Sequence, residues 1–130
     1  MGFFTGLNAR ILAAIDKRSG TTQLVRVAVV DSHIVLTHSD RSLHEVEWSG
    51  LTRVVALRRD LYAGDEVSLL LESSGSQFFE VAASCPGWLD LCAAIDLLEG
   101  ARPFGEWHQQ VLSAGVGQAI DVWSRSTQRA

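Results

Sequence analysis

Residues 46–60, VEWSGLTRVVALRRD, constrain the fold most, because Trp48, Leu51 and Val54 recur there every three residues. A strand repeats its buried face every two residues, and a helix needs alternating steps of three and four. Neither pattern sustains a spacing of three across Ser49 and Gly50, so a turn must intervene, with one strand ending at Trp48 and another beginning near Leu51. The three apolar side chains are expected in the core.

The flanking segments carry the same strand-and-turn chemistry. Residues 22–30 are rich in β-branched side chains, Asp31 and Ser32 supply a turn, and the strand pattern resumes at Ile34. Ser39, Asp40, Arg41 and Ser42 make a second turn, after which Glu45 and Glu47 alternate against His44, Val46 and Trp48. Beyond the strand at 54–58, the polar residues 59–66 read as a loop, and residues 67–71 and 77–82 read as a hairpin across Glu72, Ser73, Ser74 and Gly75. This makes about six short strands, and connections so short favour antiparallel neighbours.

The hydrophobic period changes at Ser84. Pro86 suits a first helical turn, Asp90 suits the positive end of a helix dipole, and Trp88, Leu91, Cys92, Ile95 and Leu98 share one face before Gly100. That face must be covered, and the buried side of the sheet is the matching surface. Pro103 interrupts the chain. Phe104, Trp107, Val111 and Leu112 then outline a second short helix, and residues 118–123 look extended.

A chain of 130 residues matches one ordinary domain, long enough to bury roughly two thirds of its unfolded surface. The expected organisation is a single domain over 1–130: an N-terminal helix within 1–20, an antiparallel sheet over 22–83, a helical part with a last strand over 86–123, and a frayed tail at 124–130. The fold class is α+β, an antiparallel sheet of about six strands packed by a C-terminal amphipathic helix. In the N-terminal segment, Phe3 or Phe4, Leu7, Ile11 and Ile15 fall on one side, with Lys17, Arg18 and Gly20 as stop signals. This helix is expected to dock on the body of the domain. The alternative is attachment to a membrane surface through Phe3, Phe4, Leu7 and Ile11, helped by Arg10, Lys17 and Arg18.

Charge and motifs exclude more than they identify. A net charge of −4 argues against nucleic acid as the main partner, because phosphate binding draws on clustered cations and counterion release. No apolar run approaches the 18 or so residues of a membrane span, and the expected location is the cytoplasm. Cys85 and Cys92, if both on one helix, stand about 10 Å apart along its axis, too far for a disulfide. Cys92 is a core residue on this reading; Cys85 at a helix N-terminus could gain reactivity from a depressed pKa, but a structural cap is the favoured role, since no histidine lies nearby in sequence to activate it. His38, His44 and Glu45 would be the nearest thing to a metal triad, yet alternation puts His44 and Glu45 on opposite faces of their strand. There is no nucleophile elbow, P-loop or dinucleotide fingerprint. No cofactor, metal or catalytic group is therefore expected.

Arg53, Arg58 and Arg59 are the densest basic feature, and with Arg41 they could form a small anion-binding patch. Strand parity aims Arg53 and Arg59 one way and Arg58 the other, and pairing with Glu45 and Glu47 on the preceding strand is the simpler role.

Six sequential strands followed by an amphipathic helix is the order of a pleckstrin-homology-like domain, and VEWSGLTRVVAL resembles an element of small uncharacterised bacterial proteins of that type. The likeness runs over residues 43–123 and extends to the acids Asp60 and Asp65, the strand VSLLL, and the closing Val122 and Trp123. It implies a meander or half-barrel closed by the helix. Lipid-binding members carry basic residues around the first hairpin loop, where this chain has Val30, Asp31, Ser32 and His33, so phosphoinositide binding is not expected. The function that remains is a non-catalytic interaction or scaffold module. Its partner would be another protein or a second copy, met at a sheet edge or at exposed residues such as Arg53, Arg58, Arg59, Phe3 and Phe4.

Overall fold

The computed structural model describes residues 24–61, 64–74 and 77–125. The expected helix within residues 1–20, with Phe3 and Phe4, lies outside the described residues, as do residues 126–130 of the tail.

Among the described residues, seven strands form two antiparallel sheets. Strands β1 (Leu24–Val30), β2 (His33–His38) and β3 (Leu43–Glu47) make a three-stranded meander. Strands β4 (Leu51–Leu61), β5 (Gly64–Ser73) and β6 (Gln77–Ala82) make a second, which β7 (Ile120–Ser124) extends by returning to pair with β4. The order in the larger sheet is β6-β5-β4-β7. The α+β class is as expected, but one sheet of about six strands is not what forms. The 3-10 turn at Trp48–Gly50 ends one sheet and starts the other, so β3 and β4 are neighbours in sequence without being paired.

That turn is the one required by the spacing of Trp48, Leu51 and Val54, and a second device completes it. Leu51 pairs with Ser73 and Arg53 with Glu72, which leaves Thr52 as an extra residue on β4. This bulge flips the side-chain alternation by one position, so Leu51 and Val54 both turn inward although three residues apart. Thr52 Oγ1 donates to the Glu72 carbonyl at 3.0 Å and holds the irregular stretch in place. Leu51 and Val54 are fully buried, while Trp48 is half-buried against the core.

Within the stretch expected as a loop, residues 59–61 and 64–66 are strand. The β4–β5 ladder continues through Arg59↔Glu66 and Asp60↔Asp65 to Leu61↔Gly64. Polar and charged residues make the composition of this stretch loop-like although its backbone is paired.

Helix α1 (Trp88–Asp96) is shorter than expected, since Pro86 and Gly87 precede it and Leu98 lies past its end. Gly87 occupies the N-cap with φ of 93°, in the left-handed region. At the other end, Leu97 and Leu98 amides bond three residues back, to Ala94 and Ile95, a tightening that closes the last turn. Trp88, Leu91, Cys92 and Ile95 are buried, and Leu98 packs against the core from outside the helix. Helix α2 (Phe104–Ser113) buries Trp107 and Val111 against β4 and β7.

The principal core draws side chains from every strand and both helices, among them Val27, Ile34, Val46, Leu69, Val81 and Val122. Joining both sheets, it explains why neither has to stand alone. A smaller cluster of Val55, Leu57 and Leu70 lies on the opposite face of the larger sheet.

Candidate functional site

Three arginines follow one another along β4, and the parity expected for them holds. Arg53 and Arg59 share a face with Val55 and Leu57, whereas Arg58 lies on the face of Val54 and Ala56. Their partners differ from the expected ones. Arg53 pairs with Asp121 on β7 at 2.8 Å, Arg58 with Asp65 on β5 at 2.9 Å, and Arg59 with Glu80 on β6 at 2.9 Å. Glu45 and Glu47 are out of reach because β3 belongs to the other sheet. Glu45 lies 3.4 Å from His33 Nε2, and Glu47 accepts from Ser49 Oγ.

This arrangement removes the anion patch. Each guanidinium faces a carboxylate, Arg58 also donates to the Ala114 carbonyl, and Arg41 sits with φ of 71° in the β2–β3 turn of the other sheet. Asp40 in that turn accepts from the Ser42 hydroxyl and amide, which hold its carboxyl below the usual range. The β4 arginines act as cross-strand ties between β7, β4, β5 and β6. Exposed pairs of this kind contribute about 0–1 kcal/mol each and serve register more than stability.

The other candidate groups are separated or unreactive. His44 packs against Phe79 with the rings tilted by 48° and their centroids 4.5 Å apart, while Glu45 points to the opposite face beside His33, as alternation requires. Among the described residues no cluster of three histidine, cysteine or acidic side chains has metal-binding geometry. Both cysteines are free. The reactive reading of Cys85 is overturned. Helix α1 begins three residues later, at Trp88, and burial raises the Cys85 thiol above its ordinary value despite a lowering contribution from the Val27 backbone. Burial pushes the Cys92 thiol up to about 12, with Asp96 adding to the effect.

An open groove beside α2 is lined by Glu106, Gln109, Gln110, Ser113, Gln118 and Ile120. Its one hydroxyl, Ser113 Oγ, is committed to the Gln109 carbonyl at 3.0 Å. The rest of its lining is mainly glutamine carboxamides with the Glu106 carboxylate.

One residue assigned to the frayed tail proves structural. Arg125 donates through Nε and Nη2 to the Leu51 carbonyl, at 3.0 and 2.7 Å, and through Nη2 to the Trp48 carbonyl at 2.9 Å. Its guanidinium also lies 5.3 Å from the Trp123 ring centre, while Trp123 Nε1 donates to the Glu99 carbonyl. The end of β7 is thereby clamped onto the turn between the sheets. A lone arginine in a polar tail carries no sequence signal for such a role.

Among the described residues, no further strand pairs with the outer side of β3. On β3, the ladder phase is set by the His38 amide bonding the Ser42 carbonyl and the Trp48 amide bonding the Ser32 carbonyl. Bonded pairs alternate in an antiparallel ladder, so His44 and Val46 bond back to β2. The backbone groups of Leu43, Glu45 and Glu47 consequently face away from the sheet. Leu43 is 65% exposed.

Comparison with known proteins returns no matching family model, no matching curated protein and no matching solved structure. Among the described residues no helix is long and apolar enough to cross a membrane.

Proposed function

We propose that the chain is a non-catalytic interaction module that accepts a strand of another protein, or of a second copy of itself, along the outer edge of β3. The observation that carries this reading is the row of outward backbone groups at Leu43, Glu45 and Glu47, on a strand that ends its sheet. Added strands gain main-chain hydrogen bonds from such an edge and specificity from the alternate side chains. Glu45 and Glu47 discourage indiscriminate pairing, as charges on edges do, and favour an incoming strand that carries lysine or arginine. Leu43 offers one apolar contact at the end of the row.

The likeness of residues 43–123 to bacterial pleckstrin-homology-like proteins belongs to the same proposal. That likeness rests on the sequence of this stretch, since the two separate sheets, with α2 and β7 after the first helix, carry only the broader α+β class.

The discriminating variant is Glu45→Pro. Proline removes an outward amide and leaves the inward bonds of His44 and Val46 to β2 intact, which edge strands tolerate. Pull-downs with the full chain from its native host, paired with sedimentation at micromolar concentration, should show a partner or self-association that Glu45→Pro abolishes. A complex retained equally by both proteins removes the β3 edge from the interaction.

A further inference from the structure

Helix α1 is apolar on both sides, although only one side meets the core. Trp88, Leu91, Cys92 and Ile95 are buried there. On the side facing away, Leu89 is 72% exposed, and Leu97, at the C-cap in right-handed helical geometry, is 87% exposed. Among the described residues these are the two most exposed large apolar side chains. Ala93 lies between them and is exposed as well. Residues four apart on a helix form one ridge, here about 12 Å long and about 80° wide. It is high at both ends and low in the middle, where a methyl group stands between two leucines. Acids border it on both sides. By helical rotation Asp96 falls about 20° outside Leu89, and Asp90 about 20° outside Leu97. Both are exposed, and Asp96 also accepts from the Phe104 amide at 2.9 Å. Among the described residues neither carboxylate has an ion-pair partner. Residues 81–101 contain no lysine, arginine or histidine.

We propose that this ridge docks an amphipathic helix of another protein, one that carries lysine or arginine on both flanks of its apolar face. Helices pack by fitting the ridges of one into the grooves of the other. Ala93 supplies the low point at the crossing, where a leucine, isoleucine or methionine of the incoming helix seats between Leu89 and Leu97. The flanking carboxylates then select the occupant by charge. A second copy crossing ridge on ridge sets acids against acids, with no cation on either helix to relieve them. An anionic lipid surface attracts basic segments and repels this one. A basic helix meets both acidic flanks at once. Two helical turns are small against the ~800 Å² per partner of a standard interface, so the complex is transient and its affinity micromolar.

The surface is separate from the β3 edge, which lies on the smaller sheet. The test titrates the full chain into a labelled helical peptide of leucine, alanine and lysine, with lysines on both flanks of a leucine seam. Fluorescence anisotropy should show micromolar binding that weakens roughly tenfold in Leu97→Asn and in Ala93→Gln, a loss of about 1.4 kcal/mol. The double variant Asp90→Asn, Asp96→Asn should weaken it similarly while leaving an acceptor for the Phe104 amide. All four positions are exposed, so the near-ultraviolet signal of Trp88 and Trp107 should stay unchanged and report an intact fold. The variant Glu45→Pro should bind as the wild type does. Failure of the peptide to bind overturns the proposal, as does equal affinity for wild type and Leu97→Asn. Equal binding of a peptide of the same composition in scrambled order, or of one with glutamate in place of lysine, overturns it too. So does loss of binding in Glu45→Pro, which assigns the peptide to the β3 edge. Self-association in sedimentation that Leu97→Asn abolishes makes a second copy the occupant and likewise refutes it.

Discussion

Substituting Gly87 should destabilise this protein far more than its single missing methyl group suggests. Gly87 joins the two halves of the fold. It caps α1 with φ of 93°, and a Cβ placed there would lie 1.8 Å from the Val27 carbonyl oxygen on β1. Cβ atoms essentially never approach closer than 3.0 Å, so Gly87→Ala forces a separation of at least 1.2 Å between backbone and backbone. The bond between the Val27 amide and the Pro86 carbonyl, 3.0 Å long, lies directly beside this contact and would be strained or lost. Left-handed geometry costs alanine about 1–2 kcal/mol. Loss of the bond adds ~1 kcal/mol, and loosened packing where α1 meets β1 adds a similar amount. The reduced entropy of the unfolded chain returns about 0.4–1 kcal/mol. A net loss of about 3 kcal/mol lowers Tm by roughly 10 °C for a domain of this size.

Two other glycines isolate the contributions. Gly117 also has positive φ, 82°, but nothing lies within 4 Å of a Cβ there, so Gly117→Ala carries strain alone and should cost about 1 kcal/mol or less. Gly105 lies within α2 with open space around it, and Gly105→Ala should stabilise by about 0.5–1 kcal/mol. Urea unfolding of the three variants, followed by tryptophan fluorescence with the m-value checked for constancy, supplies the ranking. If Gly87→Ala loses no more than Gly117→Ala, the close approach of α1 to β1 does not limit stability and the reasoning is wrong.

Removing the clamp on the inter-sheet turn with Arg125→Met should cost about 1–2 kcal/mol, since hydrogen bonds from a charged donor are lost while the aliphatic stem is kept; thermal unfolding measures it, and an unchanged Tm would return Arg125 to a passive tail. Cys92 makes stability fall in alkali. The native thiol, raised to about 12, keeps its proton while the unfolded thiol releases one near its ordinary value of 9, so its contribution is complete below pH 9 and is lost as pH rises toward 12. The slope approaches ~1.4 kcal/mol per pH unit in that window, and urea midpoints between pH 8 and 10.5 should fall more steeply for the wild type than for Cys92→Ala; parallel curves would refute this.

Much of the local architecture was legible because it depends on neighbours in sequence. The β1–β2 and β2–β3 connections follow from Asp31, Ser32 and the 39–42 turn, and α2 from the spacing of Phe104, Trp107 and Val111. The polar composition of 59–66 misled because polar residues suit a paired strand end as well as a loop. At α1, Pro86 satisfies the rules for a first helical turn, but the chain needs Gly87 in left-handed geometry to approach β1, and the helix starts only after it. The candidate site fared similarly. The split of the arginines between faces was readable from parity, but their partners were not, because Asp121 is 68 residues from Arg53 in sequence.

By itself, the sequence determined most of the described strands and the approximate place of both described helices, that a turn separates Trp48 from Leu51, and which face of those elements is apolar. These properties rest on backbone preferences and on periodicities of two and 3.6 residues. Tertiary structure alone decided that the strands divide into two sheets at that turn, that β7 returns to β4, and that Arg125 locks the junction. A strand's alternation says which side is buried but not which strand lies beside it. That choice is made by packing between residues far apart in the chain, here through one core shared by both sheets and both helices.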